Sequence, residues 1–258
     1  MTSNIVDKIE TGVHVWSTYW GALLNDGDND NPSIIYGFEN LSAEHQQLSQ
    51  ASIPDIGTCF GFVSQGQVSV QDKHIEWSLG AGQWFSLPHG LFLTLQPNSR
   101  TVISQCLGYR GVYAMGGPIE AQGRLRYIDG CSDSLLCSPP LLGDPCLNHL
   151  HFPVGIEQTA HTHPSTRAGV IAKGNGLCLT ENSHVIDLNT GDVFYIARNT
   201  VHHFATKDSS MDVIAYHPDS DWGPVHDEHP MINRTWVNGQ KIDNQTVQHQ
   251  QAVIIQGR

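Results

Sequence analysis

Apolar residues along this chain come in short alternating runs broken by glycine and turn residues. From Pro54 to about Ile103 the pattern reads "TCFGFVSQGQVSVQ", "HIEWSLGAGQWFSLP" and "GLFLTLQP". From Gly155 to about Tyr216 it returns as "RAGVIAKGNGLCLT", "HVIDLNTGDVFYIA", "VHHFATK" and "MDVIAYHP". Alternation with a period of two predicts strands with one buried face. Nowhere does an apolar residue recur at helical spacing over three turns, so the expected fold class is all-β.

The two halves share a rhythm of strand, glycine hairpin, strand, then a Gly-aromatic-apolar strand closing on a turn. Gly66 maps onto Gly174 at an offset of 108, and Gly82 onto Gly191 at 109, as does Pro88 onto Ala197. A near-constant offset signals an internal duplication. Many short antiparallel strands with regular turns predict two packed β-barrels. The expected boundaries are 1–104 for a first barrel, 105–148 for a linker with connecting strands, and 149–258 for a second barrel with a C-terminal extension. Within the linker, "GRLRYIDG" is expected to pair as a strand of the second barrel.

Composition narrows the function classes. The 258 residues carry 13 Lys and Arg against 25 Asp and Glu, a formal net charge of −12. A nucleic-acid backbone would repel such a chain, and no basic patch compensates. No stretch approaches the ~18 apolar residues of a membrane span, and the first twenty residues lack a secretory pattern. The six cysteines lie apart in sequence and read as reduced core thiols. A cytoplasmic location is the expectation.

Histidine is over-represented, with 15 copies. In "GIEQTAHTHPSTRAGVIAKGNG" His161 and His163 are one residue apart, so in a strand they point the same way. Two imidazoles on one face can bind one cation. Taken alone, an H-x-H pair reads more simply as two solvent-facing histidines beside the Pro164 turn. A third candidate stands downstream, where "GDVFYIARNTVHHFAT" reaches His202 and His203.

These stretches together resemble the two motifs of the cupin superfamily. Gly155, five residues, His161 and His163 fit the first motif, with Gly174 at its closing glycine. Gly191, Ala197, Asn199 and His202 occupy the places of the second, with Ala197 where the family has Pro and Asn199 where it has Gly. Asn tolerates a left-handed turn conformation, so the second replacement is mild. The resemblance implies two cupin barrels (double-stranded β-helix, or jelly roll) in one chain, a bicupin.

The family's usual glutamate ligand falls at Arg167, and a permanently charged guanidinium cannot ligate a metal. The resemblance therefore implies a site of His161, His163 and His202, as in the cupin oxygenases that use three histidines. It would hold one divalent metal, Fe(II) foremost, with Ni, Mn, Cu or Zn as alternatives. Arg167 keeps parity with the two histidines and is a candidate catalytic residue that binds a substrate carboxylate. The expected partner is a small anionic molecule and the expected reaction a dioxygenation. A non-catalytic ligand-binding or sensing protein, or a metal-dependent isomerase or lyase, would use the same parts.

At the duplication offset the ligands map onto Ile53, Asp55 and Leu93, and Arg167 onto Cys59, so the first barrel is expected to lack a metal. His89 reads as filler. His203 is expected to face outward if His202 faces inward. His149 and His151 form another H-x-H pair, expected to be structural or to lie behind the site. The loop with Asp219, Asp221, His226, Asp227, Glu228 and His229 reads as a solvated connector, with Trp222 and Trp236 packed against a barrel mouth. The uncharged "AVII" near the C-terminus is a candidate covered edge strand, as in a homodimer.

Overall fold

The computed structural model describes residues 12–28, 30–41, 47–181, 184–225, 236–237 and 240–241. Regular structure among them is β apart from one 3-10 turn at Ile128–Gly130. Residues 226–229 and the "AVII" stretch, 252–255, lie outside the described residues, as does the Trp236 side chain. Two compact units result: residues 1–138 with 145–219, and residues 139–144 with 220–258. In the second unit the Asp144 carboxylate accepts the Leu141 N–H, and Gly143 N donates to Ser220 O. Trp222, expected to pack, is instead 60% exposed.

The first unit contains the duplicated pattern. Its N-terminal strands are β1 (Val13–Trp16), β2 (Trp20–Asp26), β3 (Ser33–Asn40), β4 (Ser49–Ile53), β5 (Gly57–Gln65), β6 (Gln67–Gln71), β7 (Glu76–Gly80), β8 (Trp84–Leu87), β9 (Leu91–Leu95) and β10 (Ser99–Leu107). Next come β11 (Ala114–Gly116), β12 (Leu125–Arg126), β13 (Ser132–Cys137) and β14 (Cys146–Phe152). The C-terminal strands are β15 (Arg167–Thr180), β16 (Val185–Asn189), β17 (Val193–Ile196), β18 (His202–Ala205) and β19 (Met211–His217).

Pairing repeats between the halves. One sheet runs β11-β8-β5-β10-β3-β2 and the other β1-β17-β15-β19-β14-β13-β12. Thus β8-β5-β10-β3 corresponds to β17-β15-β19-β14. A smaller sheet, β4-β9-β6-β7, has its counterpart in β16 and β18 against the second half of β15. Gly66 and Gly174 mark the same bend, with φ of 69° and 72°, where an L side chain would be strained. The "GRLRYIDG" stretch supplies β12, which pairs β13.

One pairing crosses the duplication. The edge of β8 is covered by β11, but the equivalent edge of β17 is covered by β1 from the start of the chain. The sequence gives no sign of this exchange, because β1 alternates like any edge strand.

Strand parity sorts the side chains into three apolar clusters. Ile53, Cys59, Phe85, Leu87, Leu93 and Ile103 fill the N-terminal half. Phe152, Ile171, Phe194, Ile196, Phe204 and Val213 fill the C-terminal half. Trp16, Phe60, Val193, Ile214 and Tyr216 belong to a third cluster drawing on strands of both halves. All six cysteines are buried and free, and burial raises the thiols of Cys59, Cys131, Cys137 and Cys178.

Candidate metal centre

The C-terminal strand set leaves one end of its core open. His161 precedes β15 and forms an isolated antiparallel bridge with His202, the first residue of β18. The pair exchange both backbone hydrogen bonds at 3.0 Å. His163 follows on the same side of the segment, and its carbonyl accepts the Asn199 N–H at 2.8 Å. Asn199 has a φ of 58°, the left-handed conformation that glycine supplies in the motif.

The three imidazoles converge. Ring centroids are 4.9 Å apart for His161 and His163, 4.8 Å for His161 and His202, and 5.2 Å for His163 and His202. One ligand nitrogen from each lies within 4.8 Å of the others. His161 Nδ1 donates to Thr159 O at 2.7 Å and His202 Nδ1 to Thr200 O at 2.9 Å. Those bonds fix the tautomer and turn the Nε2 lone pairs toward the centre, the outer support typical of metal-bound histidine.

Burial and the charge in the site favour neutral rings at His163 and His202. Burial, then the Arg167 guanidinium and the neighbouring rings, brings His163 down to about 3. Burial also brings His202 down to about 4, against the raising effect of the Thr200 carbonyl. Neutral imidazole is the form that binds a cation. The residues present therefore fit a divalent metal.

The cavity around them holds about 390 Å³ of space measured out to and including its solvent opening. Leu150, Phe152, Phe194, Ile196 and Phe204 form its apolar wall. Its polar lining consists of the triad with Tyr127, Gln158, Arg167 and His217. No Asp or Glu lines it among the described residues.

Arg167 opens β15, faces this cavity and is 4% exposed. Its Nη1 donates to Ser165 Oγ at 2.5 Å and Thr166 O at 2.9 Å, with Asp219 Oδ1 at 3.6 Å. The Ser165 hydroxyl in turn donates to Asp219. The guanidinium is thus anchored at one end and carries a counter-ion, while its field still acts on His163, His202 and His217.

Other sequence candidates lie elsewhere. His149 Nε2 and His151 Nδ1 both bond Asp212 Oδ1, at 2.9 and 2.8 Å, on the face of β14 opposite Leu150 and Phe152. His203 does not line the cavity; its Nε2 is 3.6 Å from Glu157. At the equivalent positions of the N-terminal half, Ile53, Cys59 and Leu93 are buried core. Asp55 is held by Arg110 at 2.6 Å, and His89 lies 3.5 Å from it.

His217 was not singled out by sequence spacing. The signal was its parity at the end of β19, two residues beyond Ala215 and four beyond Val213, both of which pack inward.

Residues 148–218 match the family model for the cupin domain. The chain carries a cupin domain. The segment spans β14 through β19 and includes all three histidines. Among solved structures, the chain is similar to salicylate 1,2-dioxygenase from Pseudaminobacter salicylatoxidans at 12% identity and a TM-score of 0.56, covering 81% of this chain and 84% of that one. It is similar to protein Ylba from E. coli at 15% identity and a TM-score of 0.54, covering 85% and 88%. A cupin 2 conserved barrel domain protein from Leptotrichia buccalis gives 10% identity and a TM-score of 0.50, covering 82% and 91%. At such identities the likeness is one of fold. Among curated protein sequences none matches the chain.

Proposed function

We propose that this protein is a metal-dependent enzyme of the cupin fold that acts on a small anionic molecule, with dioxygenation as the favoured reaction. His161, His163 and His202 are the ligands, and Fe(II) is the favoured ion. The observation that carries this reading is the convergence of three imidazoles in a cavity with no lining carboxylate among the described residues. Three neutral ligands leave a divalent charge uncompensated and coordination positions open, which favours an anionic partner. Bound there, a redox metal supplies the means of bringing oxygen and an oxygen-rich substrate together.

The rest of the chain supports that chemistry. Thr159 O and Thr200 O orient two of the ligands. The phenylalanine walls exclude water from the apolar part of a substrate. Arg167 adds positive potential near the carboxylate we assign to the substrate, while Ser165 and Thr166 hold it in place. The likeness to salicylate 1,2-dioxygenase, one variant of which was solved in complex with gentisate, agrees with a small aromatic anion as the class to test first.

We read the duplicated strand order as two cupin barrels, with boundaries near 104 and 149. The first keeps the fold without the ligands, and β1 is lent to the second. The test of function is metal analysis of untagged protein, followed by oxygen uptake of iron-loaded protein with β-diketones, thiols and catechol-like acids. One metal per chain and uptake with a member of the panel support the enzyme. Protein that takes up no metal refutes it.

A further inference from the structure

Resting on the metal-site reading above, we propose that His217 contacts the substrate and selects anions that carry a hydroxyl beside the carboxylate. The inward side chains of β19 are Met211, Val213 and Ala215, all in the apolar core. At the next inward position, where the strand reaches the cavity, the residue changes to an imidazole. His217 lines the cavity with its ring centroid 6.5 Å from that of His163. It stands outside the triad of mutually close ligand nitrogens, so a metal at the triad leaves this ring facing the metal's neighbours.

Besides the ligands and Gln158, two lining groups can accept a hydrogen bond, the Tyr127 hydroxyl and the His217 ring, and His217 is the one in ring contact with His163. Arg167 only donates. The Nε2 lone pairs of the triad would be taken up by a bound metal, and Gln158 Oε1 accepts the Phe204 N–H at 3.2 Å. No side-chain hydrogen bond to another described residue engages the His217 ring, which lines the cavity beside His163. A neutral imidazole keeps one nitrogen as an acceptor. A plain carboxylate has no proton to give it. An anion with an adjacent hydroxyl does, and it can place its carboxylate toward Arg167 while its hydroxyl proton meets the ring.

The test compares mandelate with phenylacetate, which differ by one hydroxyl, as calorimetric ligands of the metal-loaded full chain. Wild type is expected to bind mandelate at least about tenfold more tightly, as one buried hydrogen bond allows. His217→Phe is expected to bring the two within about twofold of each other, with metal content per chain unchanged. His217→Gln, which restores an acceptor, is expected to keep part of the preference. Equal binding by wild type, binding of neither probe, or a preference that survives in His217→Phe overturns the assignment while leaving the metal site standing. A chain that takes up no metal instead overturns the metal-site reading and this inference with it.

Discussion

His161 and His202 hold each other through their backbones: each N–H donates to the other's carbonyl at 3.0 Å. The two cupin motifs are therefore joined by a main-chain bridge that needs neither imidazole nor metal. The approach of the three rings rests on this backbone pairing, and the side chains are separable from the fold that carries them.

That separation yields the first prediction. His161→Ala and His202→Ala should each reduce bound metal from about one per chain to below about 0.2. Because the bridge survives, the metal-free variants should differ from metal-free wild type by no more than about 2 kcal/mol in denaturant unfolding. Metal analysis by mass spectrometry reads the first quantity and chemical denaturation the second. Retention of full metal by either variant sinks the triad.

Acid should weaken the metal-free protein through the same rings. His163 sits at about 3 and His202 at about 4 in the fold, against 6.5 for a free imidazole. Above pH 6.5 both states are neutral and the rings contribute nothing to the pH dependence. Below it the unfolded chain takes up protons that the folded rings refuse, so stability falls toward pH 4. The slope is at most about 1.4 kcal/mol per pH unit for buried His202, and less for half-buried His163. Melting temperature measured from pH 7 to 4.5 should show this fall, flattened in His202→Phe. An equal slope in that variant would assign the acid sensitivity elsewhere.

How far the sequence reached depends on what each feature needs. The convergence of His161, His163 and His202 was legible through the resemblance to the cupin motifs, whose spaced glycines and histidines this chain keeps. The all-β class followed from period-two alternation. The docking of β1 on β17 was not legible, since an edge strand's partner is chosen by shape across 180 or so residues of chain and leaves no local pattern. Arg167 was legible as facing the cavity, but its ties to Ser165, Thr166 and Asp219 are tertiary facts. His217 was written in strand parity alone, with no motif to point at it.

Behind the site, Asp212 binds two histidines with one oxygen. Burial pushes its carboxyl up, but the hydrogen bonds from His149 and His151 outweigh that and hold it below the usual carboxylate range. The stability it contributes is present above pH 4 and lost as pH falls through its lowered value. Asp212→Ala should leave one buried ring, His149, and one partly buried ring, His151, unpartnered and cost about 3 kcal/mol, read as a lower denaturation midpoint at pH 7. Metal content should not change, because the cluster lies on the opposite face of β14. Loss of metal in a folded Asp212→Ala protein would place the cluster in the site's support.

The two departures from the second cupin motif should behave oppositely when reversed. At position 197 the family has proline, but here Ala197 N donates to Gly12 O at 2.7 Å, one residue before β1 begins. A proline has no N–H to give, so Ala197→Pro should cost about 1–3 kcal/mol and loosen β1 from β17. At position 199 the backbone is already left-handed, with φ of 58°, and glycine adopts that conformation at no steric cost. Asn199→Gly should therefore be neutral within about 0.5 kcal/mol. Hydrogen exchange of the β1 amides separates the cases: faster exchange in Ala197→Pro alone is expected. A neutral Ala197→Pro with unchanged exchange would mean that the β1 contact, and not the family proline, is the dispensable element.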